Sequence, residues 1–215
     1  MFDQEEKMEQ LSVRPMIVKT FSNFFYQFSS IWIAILLTIV FIGYLVLVLM
    51  VKSTGFELSD GNIKSLGTSF GFDKADIVLF LATRTKEMIE AYINFNQIWD
   101  TLFGLIYGLM YVVWVSVLFK PFSKKVGVLN LFPFIQVLFD WLENYTLAAV
   151  ANQYLADGVF SSVNAKLASI FSIFKWVCSG LTLTLILIGA ILMIAQAIKN
   201  LSLIHISEPT RRSAI

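Results

Sequence analysis

Long apolar stretches alternate along this chain with short polar segments. Residues 31–51, 101–119 and 176–198 contain no charged side chain, and residues 126–150 are mainly apolar with polar insertions. A helix of about 20 residues, rising 1.5 Å per residue, crosses a hydrocarbon core of about 30 Å. The pattern therefore predicts an all-α membrane protein, a four-helix transmembrane bundle within residues 31–199. Its spans are expected over about residues 31–51, 98–119, 126–150 and 170–198.

The segment between the first two predicted spans has the periodicity of an amphipathic helix. Asp73 is placed to cap such a helix, and apolar side chains then recur largely on one face. Those side chains are Ile77, Phe80, Leu81, Met88, Tyr92 and Phe95. Arg84 is an exception, because its charge falls on the apolar face. We expect an amphipathic helix in the first loop that lies on the membrane or covers one end of the bundle.

The two ends of the chain differ from the bundle. Residues 1–30 form an expected N-terminal interfacial segment, in which phenylalanines recur at helical spacing, or else a simple extension of the first span. Acidic residues near the start argue against a cleaved signal peptide. Residues 203–215 resemble translated sequencing-adapter read-through. We expect a non-native tail there and leave it, with His205, out of the functional reasoning.

Composition supports a membrane protein and narrows the chemistry. Hydrophobic residues make up 57 % of the chain and charged residues 14 %, whereas soluble domains average about 45–50 % and 25 %. The net charge of +1 gives no support for nucleic-acid binding. Cys178 is the one cysteine in the sequence, which excludes an intrachain disulfide and a cysteine-based metal cluster. The sequence lacks phosphate-binding and metalloprotease motifs, so no cofactor and no metal are expected.

Basic residues favour one orientation in the membrane. Lys120, Lys124 and Lys125 form a short basic loop after the second predicted span, and Arg14 and Lys19 precede the first. Positively charged loops stay preferentially on the cytoplasmic side. We therefore expect a multi-pass integral membrane protein with both termini in the cytoplasm.

The third predicted span carries the most informative side chains. Residues three and four apart share a helix face, so Gln136, Asp140, Glu143 and Asn144 form one polar stripe. Lipid cannot solvate a carboxylate, and the stripe is expected to face the bundle interior or a wet cavity. Lys175 on the fourth span lies at a similar expected depth, about 10–15 Å below the same surface. It is the predicted ion-pair partner of Asp140 or Glu143.

The second predicted span contributes a further face to this core. Asp100, Gly104, Tyr107 and Gly108 repeat at spacings of three to four residues. Asp100 and Tyr107 are expected near the polar core, with an interfacial position as the alternative for Asp100. Gly104 and Gly108 form a small-x-x-x-small pattern that permits close helix packing. The candidate polar-core and ligand-binding residues are thus Asp140, Glu143, Asn144, Lys175, Asp100 and Tyr107.

This constellation leaves three functions open. The first is an integral membrane protein without catalysis, whose polar core binds a lipid-like ligand or partner helices, or only fixes helix register. The second is a membrane-embedded, isomerase-like enzyme that uses an intramembrane carboxyl as proton donor. The third is a small proton-coupled carrier. The expected partners are the lipid bilayer, a lipid-like ligand and a second copy of the chain in a homo-oligomer.

Three short runs resemble a known family. They are Trp99-Asp100-x-x-Phe103-Gly104-x-x-Tyr107-Gly108, Phe139-Asp140-x-x-Glu143-Asn144 and Phe174-Lys175-Trp176. They are similar to motifs in a family of uncharacterised four-span integral membrane proteins, over about residues 55–198. The resemblance implies the four-span topology and a polar site in the third span, but no known activity. A looser similarity to four- and five-span sterol isomerases rests on acidic groups in a membrane cavity, without that group's motif.

Overall fold

A computed structural model describes residues 16–58, 63 and 65–207, with side chains up to residue 200. This part of the chain is helical and contains no strand, which confirms the predicted all-α class. Its six helices are α1 (16–28), α2 (Ile31–Ser53), α3 (Lys74–Ala82), α4 (Lys86–Val126), α5 (Pro133–Asp157) and α6 (Ser162–Ser207). Residues 1–15 and 208–215 lie outside the described part, and with them most of the predicted non-native tail.

Three of these helices are long and apolar enough to cross a membrane. They are α2, α4 and α6 over Ser162–Asn200. The third predicted span, over residues 126–150, corresponds to α5, which is 25 residues long but carries the polar stripe along one face. Length and apolarity thus support three candidate spans and do not by themselves establish the predicted four-span bundle.

Helix α4 lies at the centre of the molecule. Within its most apolar stretch 56 % of the residues are buried, against 11 % for α2 and 17 % for α6. It packs against α2, α5 and α6, and α5 packs along α6. The exposed surfaces of α2 and α6 are apolar, as at Trp32, Leu47 and Leu187. Such outward apolar faces suit contact with acyl chains.

The first loop folds into a compact cap over the ends of α5 and α6. Asp73 caps α3 by accepting a hydrogen bond from the Asp76 amide at 2.9 Å, and the Asp76 carboxylate accepts one from the Asp73 amide in return. This capping box confirms the predicted helix start. The buried core of the cap comprises Phe56, Leu66, Ile77, Phe80, Leu81, Ile89, Tyr92, Leu147, Val150, Ala151, Ala165 and Ala168.

The predicted amphipathic helix is in fact two helices, and Arg84 lies at the break. Helix α3 ends at Ala82, and Thr85 caps α4 by accepting a hydrogen bond from the Met88 amide. The buried Arg84 guanidinium donates to the carbonyls of Phe56 and Phe80 at 2.7 Å and of Ile63 at 3.3 Å. Burial lowers the pKa of Arg84 and the nearby Glu57 opposes that shift. Arg84 is therefore not a misfit: its buried guanidinium is satisfied by three backbone carbonyls, one of them that of Phe80 near the end of α3.

At the other end of the molecule, α1 is a helix of its own and not an extension of α2. Ser30 separates the two and caps α2 by accepting a hydrogen bond from the Ile33 amide. Asn130 accepts a hydrogen bond from the Ser22 hydroxyl at 2.6 Å and donates one to Ser116 Oγ at 3.0 Å, both buried. Tyr26 packs with residues near the end of the long stretch of α4. These contacts hold α1 against the ends of α4 and α5.

Candidate functional site

The polar stripe of α5 faces the interior of the bundle. Gln136, Asp140, Glu143 and Asn144 are each at most 6 % exposed. The opposite face of α5 is apolar and exposed, with Ile135, Leu138, Trp141 and Tyr145 on the surface. Helix α5 is therefore polar inside and apolar outside, the reverse of a helix in a water-soluble protein.

Lys175 of α6 joins this stripe as predicted. Its ammonium lies 3.5 Å from Asp140 Oδ1 and forms a direct ion pair with Glu143 Oε2. It also donates a hydrogen bond of 2.9 Å to the Gly67 carbonyl in the first loop. Lys175 is buried, and so are both carboxylates. Two acids and a backbone carbonyl thus surround one cation.

The same face of α6 holds the loop that precedes α3. Ser169 Oγ accepts a hydrogen bond from the Phe72 amide at 3.0 Å, and the Ser172 hydroxyl donates one of 2.8 Å to the Ser69 carbonyl. With Lys175 these residues fall at intervals of three along α6, so they share a face. Gly71, at φ +77°, packs directly against α6. The loop is consequently fixed beside the ion cluster.

A cavity of about 410 Å³ lies next to this cluster. Its apolar wall includes Phe41, Leu45, Leu49, Phe56, Phe95, Phe103 and Trp176. Its polar lining includes Glu57, Asn96, Asp100, Tyr107, Gln136, Asp140 and Lys175. Met50 and Trp176 line the cavity and are also exposed on the molecular surface. The cavity therefore opens to the outside and has both apolar and polar lining residues.

Two π-helical stretches form part of the cavity wall. They are Leu45–Leu49 in α2 and Phe95–Asp100 in α4, and they contact each other. Leu45, Leu49 and Asp100 from these stretches line the cavity. A π-helical turn inserts one extra residue and widens the helix locally, and such turns are frequent at functional sites. Both helices are thus locally widened where they line the cavity.

Asp100 and Tyr107 both line the cavity. Asp100 is partly exposed and lies beside Asn144 of the stripe. Tyr107 is buried and lies beside Asp140. Glu143 and Asn144 do not line the cavity and lie behind it. The predicted polar core is thus divided into a cavity-facing part and a deeper part.

Several buried oxygens beside the cavity have no hydrogen-bond partner within the described part of the chain. They include Tyr107 Oη, Gln136 Oε1 and Asp140 Oδ2, all on residues that line the cavity. Asp140 Oδ2 faces Gly104 of α4, and the Asp140 carboxyl lies beside the Tyr107 hydroxyl. These oxygens are therefore packed against protein atoms and have almost no surface open to the cavity.

Gly104 and Gly108 allow α4 to lie close to α5. A Cβ added at Gly104 would lie 2.8 Å from Asp140 Oδ2 and 2.9 Å from Trp141 Nε1. One added at Gly108 would overlap the Val137 side chain. Contacts that short require a neighbour to move, so glycine at both positions permits the close helix packing that the spacing predicts.

No arrangement of His, Cys, Asp and Glu side chains in the described ranges could hold a metal ion. The cluster at Lys175 contains only two carboxylates together with the ammonium itself. A resident cation beside that ammonium would meet strong like-charge repulsion.

Sequence reasoning missed two contributions to the site. One is the side of α2 with Leu45 and Leu49, which forms much of the apolar wall. The other is the Gly67 carbonyl, which binds Lys175. A uniform apolar run does not indicate which of its sides faces a cavity. A hydrogen bond to a backbone carbonyl cannot be predicted from the type of the residue that carries the carbonyl. The clustered glycines and serines of the loop were the only available indication.

Comparison of the chain with protein-family models, curated proteins and solved structures finds no match. The similarity to a family of four-span membrane proteins consequently remains a prediction that rests on the three motifs. What the site does must be argued from its own geometry.

Proposed function

We propose that this chain is an integral membrane protein that binds a lipid-like ligand in the cavity beside Asp140. The observation that carries the proposal is the cavity itself, whose lining combines many apolar side chains with the polar side chains of Asp100, Gln136, Asp140 and Lys175. Ligand sites are commonly mainly apolar pockets of about 300–1,000 Å³ with a few convergent polar groups. An ion network that only fixed helix register would need no such space next to Asp140.

We further propose that α5 is a fourth membrane span. Its exposed side chains are apolar, and its polar side chains are turned towards α4 and α6. A polar stripe shielded in this way does not contact acyl chains, so a low average apolarity is compatible with crossing the bilayer. Four spans place both termini on one side of the membrane, and the basic segment Lys120–Lys125 at the end of α4 favours the cytoplasm for that side.

The mouth of the cavity then opens towards acyl chains. Met50 and Trp176, at its rim, lie on helices that are long and apolar enough to span the membrane. A ligand drawn from the bilayer would enter between α2 and α6. Its tail would lie along Leu45, Leu49 and Phe103, and its polar group would reach Asp140 and Tyr107.

Mass spectrometry of lipids retained after purification tests ligand binding. Leu45→Trp places a larger side chain in the cavity wall, while Leu47→Trp, two residues away, adds the same bulk at a position that is 74 % exposed. We expect the wild type and Leu47→Trp to retain a bound lipid through detergent washing, and Leu45→Trp to lose it. Equal retention by both variants, or no retained lipid in the wild type, would contradict the proposal.

The isomerase-like enzyme is the second candidate. It is favoured by the position of the Asp140 carboxyl beside the Tyr107 hydroxyl, on two residues that line the cavity. A carboxyl there would protonate one carbon of an apolar substrate, the substrate would lose a proton from a second carbon to the carboxylate or to water, and the carboxyl would exchange its proton with water between turnovers. Incubation in heavy water separates the candidates: an isomerase introduces deuterium into a carbon position of the bound lipid, and a binding protein does not. No comparable observation favours the proton-coupled carrier.

A further inference from the structure

Helix α1 lies across residues 120–132, which include the end of α4 and lead into α5, and which are called the basic turn below. The Ser22 hydroxyl in the middle of α1 donates a hydrogen bond of 2.6 Å to Asn130. Near the end of α1, the Gln27 carbonyl accepts a hydrogen bond of 3.2 Å from the Lys120 ammonium. Because α4 is long and apolar enough to span the membrane, a helix held across its end lies near the bilayer surface.

The surface of α1 is divided into three sides that run along the helix. One side is buried against the bundle, with Ser22 and Tyr26 at most 6 % exposed. The next side is apolar, and its members are 48–60 % exposed and recur at intervals of three and four residues: Ile17, Phe21, Phe24 and Phe28. The third side is polar and exposed, with Lys19, Asn23 and Gln27. A helix with an apolar and a polar side next to its buried side is suited to the boundary between acyl chains and head groups.

The charges that the described residues place at this end of the molecule are all positive. Four lysines are exposed on α1 and the basic turn, namely Lys19, Lys120, Lys124 and Lys125. Every Asp and Glu in the described part of the chain falls within residues 57–100 or 140–157. No acid therefore belongs to α1 or to the basic turn. A cluster of lysines beside a membrane attracts lipids with a negatively charged head group.

We infer that α1 and the basic turn form a binding surface for anionic phospholipids. Their acyl chains pack along the apolar side of α1, and their charged head groups contact Lys19, Lys124 and Lys125. A free anion would use the lysines but not the adjoining apolar side, so the surface matches a lipid. None of its residues lines the cavity. The inference therefore goes beyond the proposed function and does not depend on it.

Native mass spectrometry of the full chain in detergent micelles tests the inference, because it separates protein with a bound lipid from free protein. The probes are phosphatidylglycerol and phosphatidylcholine with the same acyl chains. One lysine near a membrane surface is worth about a fivefold preference for anionic lipid. We therefore expect phosphatidylglycerol to bind at least about fivefold more tightly than phosphatidylcholine. Equal affinities for the two lipids would overturn the inference.

Paired lysine variants locate the preference on the molecule. Lys124→Gln combined with Lys125→Gln should remove it, because both side chains are exposed on the basic turn. The matched control combines Lys86→Gln with Lys166→Gln, which removes the same charge from two exposed lysines outside this surface, and should keep the preference. An equal loss in both double variants would mean that anionic lipid responds only to net charge, and would overturn the inference.

Two further measurements separate a lipid surface from an anion site. Inorganic phosphate, added at matched ionic strength, should not displace phosphatidylglycerol, and displacement would show that the lysines bind a free anion instead. Phe24→Ser removes a side chain that is 51 % exposed on the apolar side of α1. It should weaken the binding of both lipids, since their acyl chains are the same. Unchanged binding would exclude α1 from the surface and overturn the inference.

The acids that precede α1 in the sequence require a variant of their own. They lie outside the described residues and are Asp3, Glu5, Glu6 and Glu9. With all four replaced by the corresponding amides, we expect the preference for phosphatidylglycerol to persist or to rise. A preference seen only in this variant would overturn the inference, because the chain's own acids would then neutralise the lysines. Each of these failures leaves the proposed function standing, because the lysines tested do not line the cavity.

Discussion

At the scale of single residues, the pairing of Lys175 with the α5 acids is the feature that sequence reasoning placed best. Helical spacing put Asp140 and Glu143 on one face, and equal depth pointed to Lys175, 32 residues after Glu143 in the chain. The structure brings all three together. The spacing of Asp100 pointed to the same core, but only the fold shows that it lines the cavity. A residue's depth in the membrane can be estimated from the sequence. Its exposure to a cavity depends on how far the helices separate in the folded bundle.

Removal of the lysine should destabilise the fold strongly. In Lys175→Met two buried carboxylates lose their cation, and breaking a buried ion pair in this way costs about 3–5 kcal/mol. The matched control is Lys86→Met, which removes a 3.8 Å ion pair with Glu90 between exposed side chains, worth less than about 1 kcal/mol. The free energy of unfolding in detergent micelles measures both. A similar loss in the two variants would show that the buried cluster contributes little to stability.

At the scale of helices, element type and helix faces were predictable, and breaks within helices were not. The apolar periodicity that begins at Asp73 continues through Tyr92, so sequence gives one helix where the structure has α3 and α4. Thr83 and Thr85 flank the break, and Arg84 between them donates to the carbonyls of Phe80 in α3 and of Phe56 in the cap. Tertiary contacts of this kind override local pattern. The π-helical turns of α2 and α4 likewise depend on packing between the helices.

The proposal that α5 crosses the membrane predicts opposite locations for its two flanking loops. In a Cys178→Ser background, single cysteines would replace Lys124 before α5 and the exposed Val159 after it. We expect a membrane-impermeant maleimide to label the Val159 position from outside intact cells and the Lys124 position only in inverted vesicles. Labelling of both positions from the same side would mean that α5 does not cross.

At the scale of the whole molecule, the bundle and its cap together create the cavity. Helix α2 supplies much of the apolar wall, and α4 and α5 supply Asp100 and Asp140. Helix α6 supplies Lys175 and the serines that hydrogen-bond to the loop before α3. No single helix signals such a space, because each lining residue has an ordinary apolar or polar role in its own segment. The sequence therefore predicted a polar stripe that faces the bundle interior or a wet cavity, but not which residues of the other helices line that cavity.

The most direct test of ligand binding beside Asp140 is an experimental structure of the full chain crystallised from a lipid phase. The account predicts elongated density in the cavity, with its polar end against Asp140 and Gln136 and its tail between α2 and α6. The account would be contradicted if side chains repack to fill the cavity. It would also be contradicted if the cavity holds only isolated waters while the protein retains lipid elsewhere.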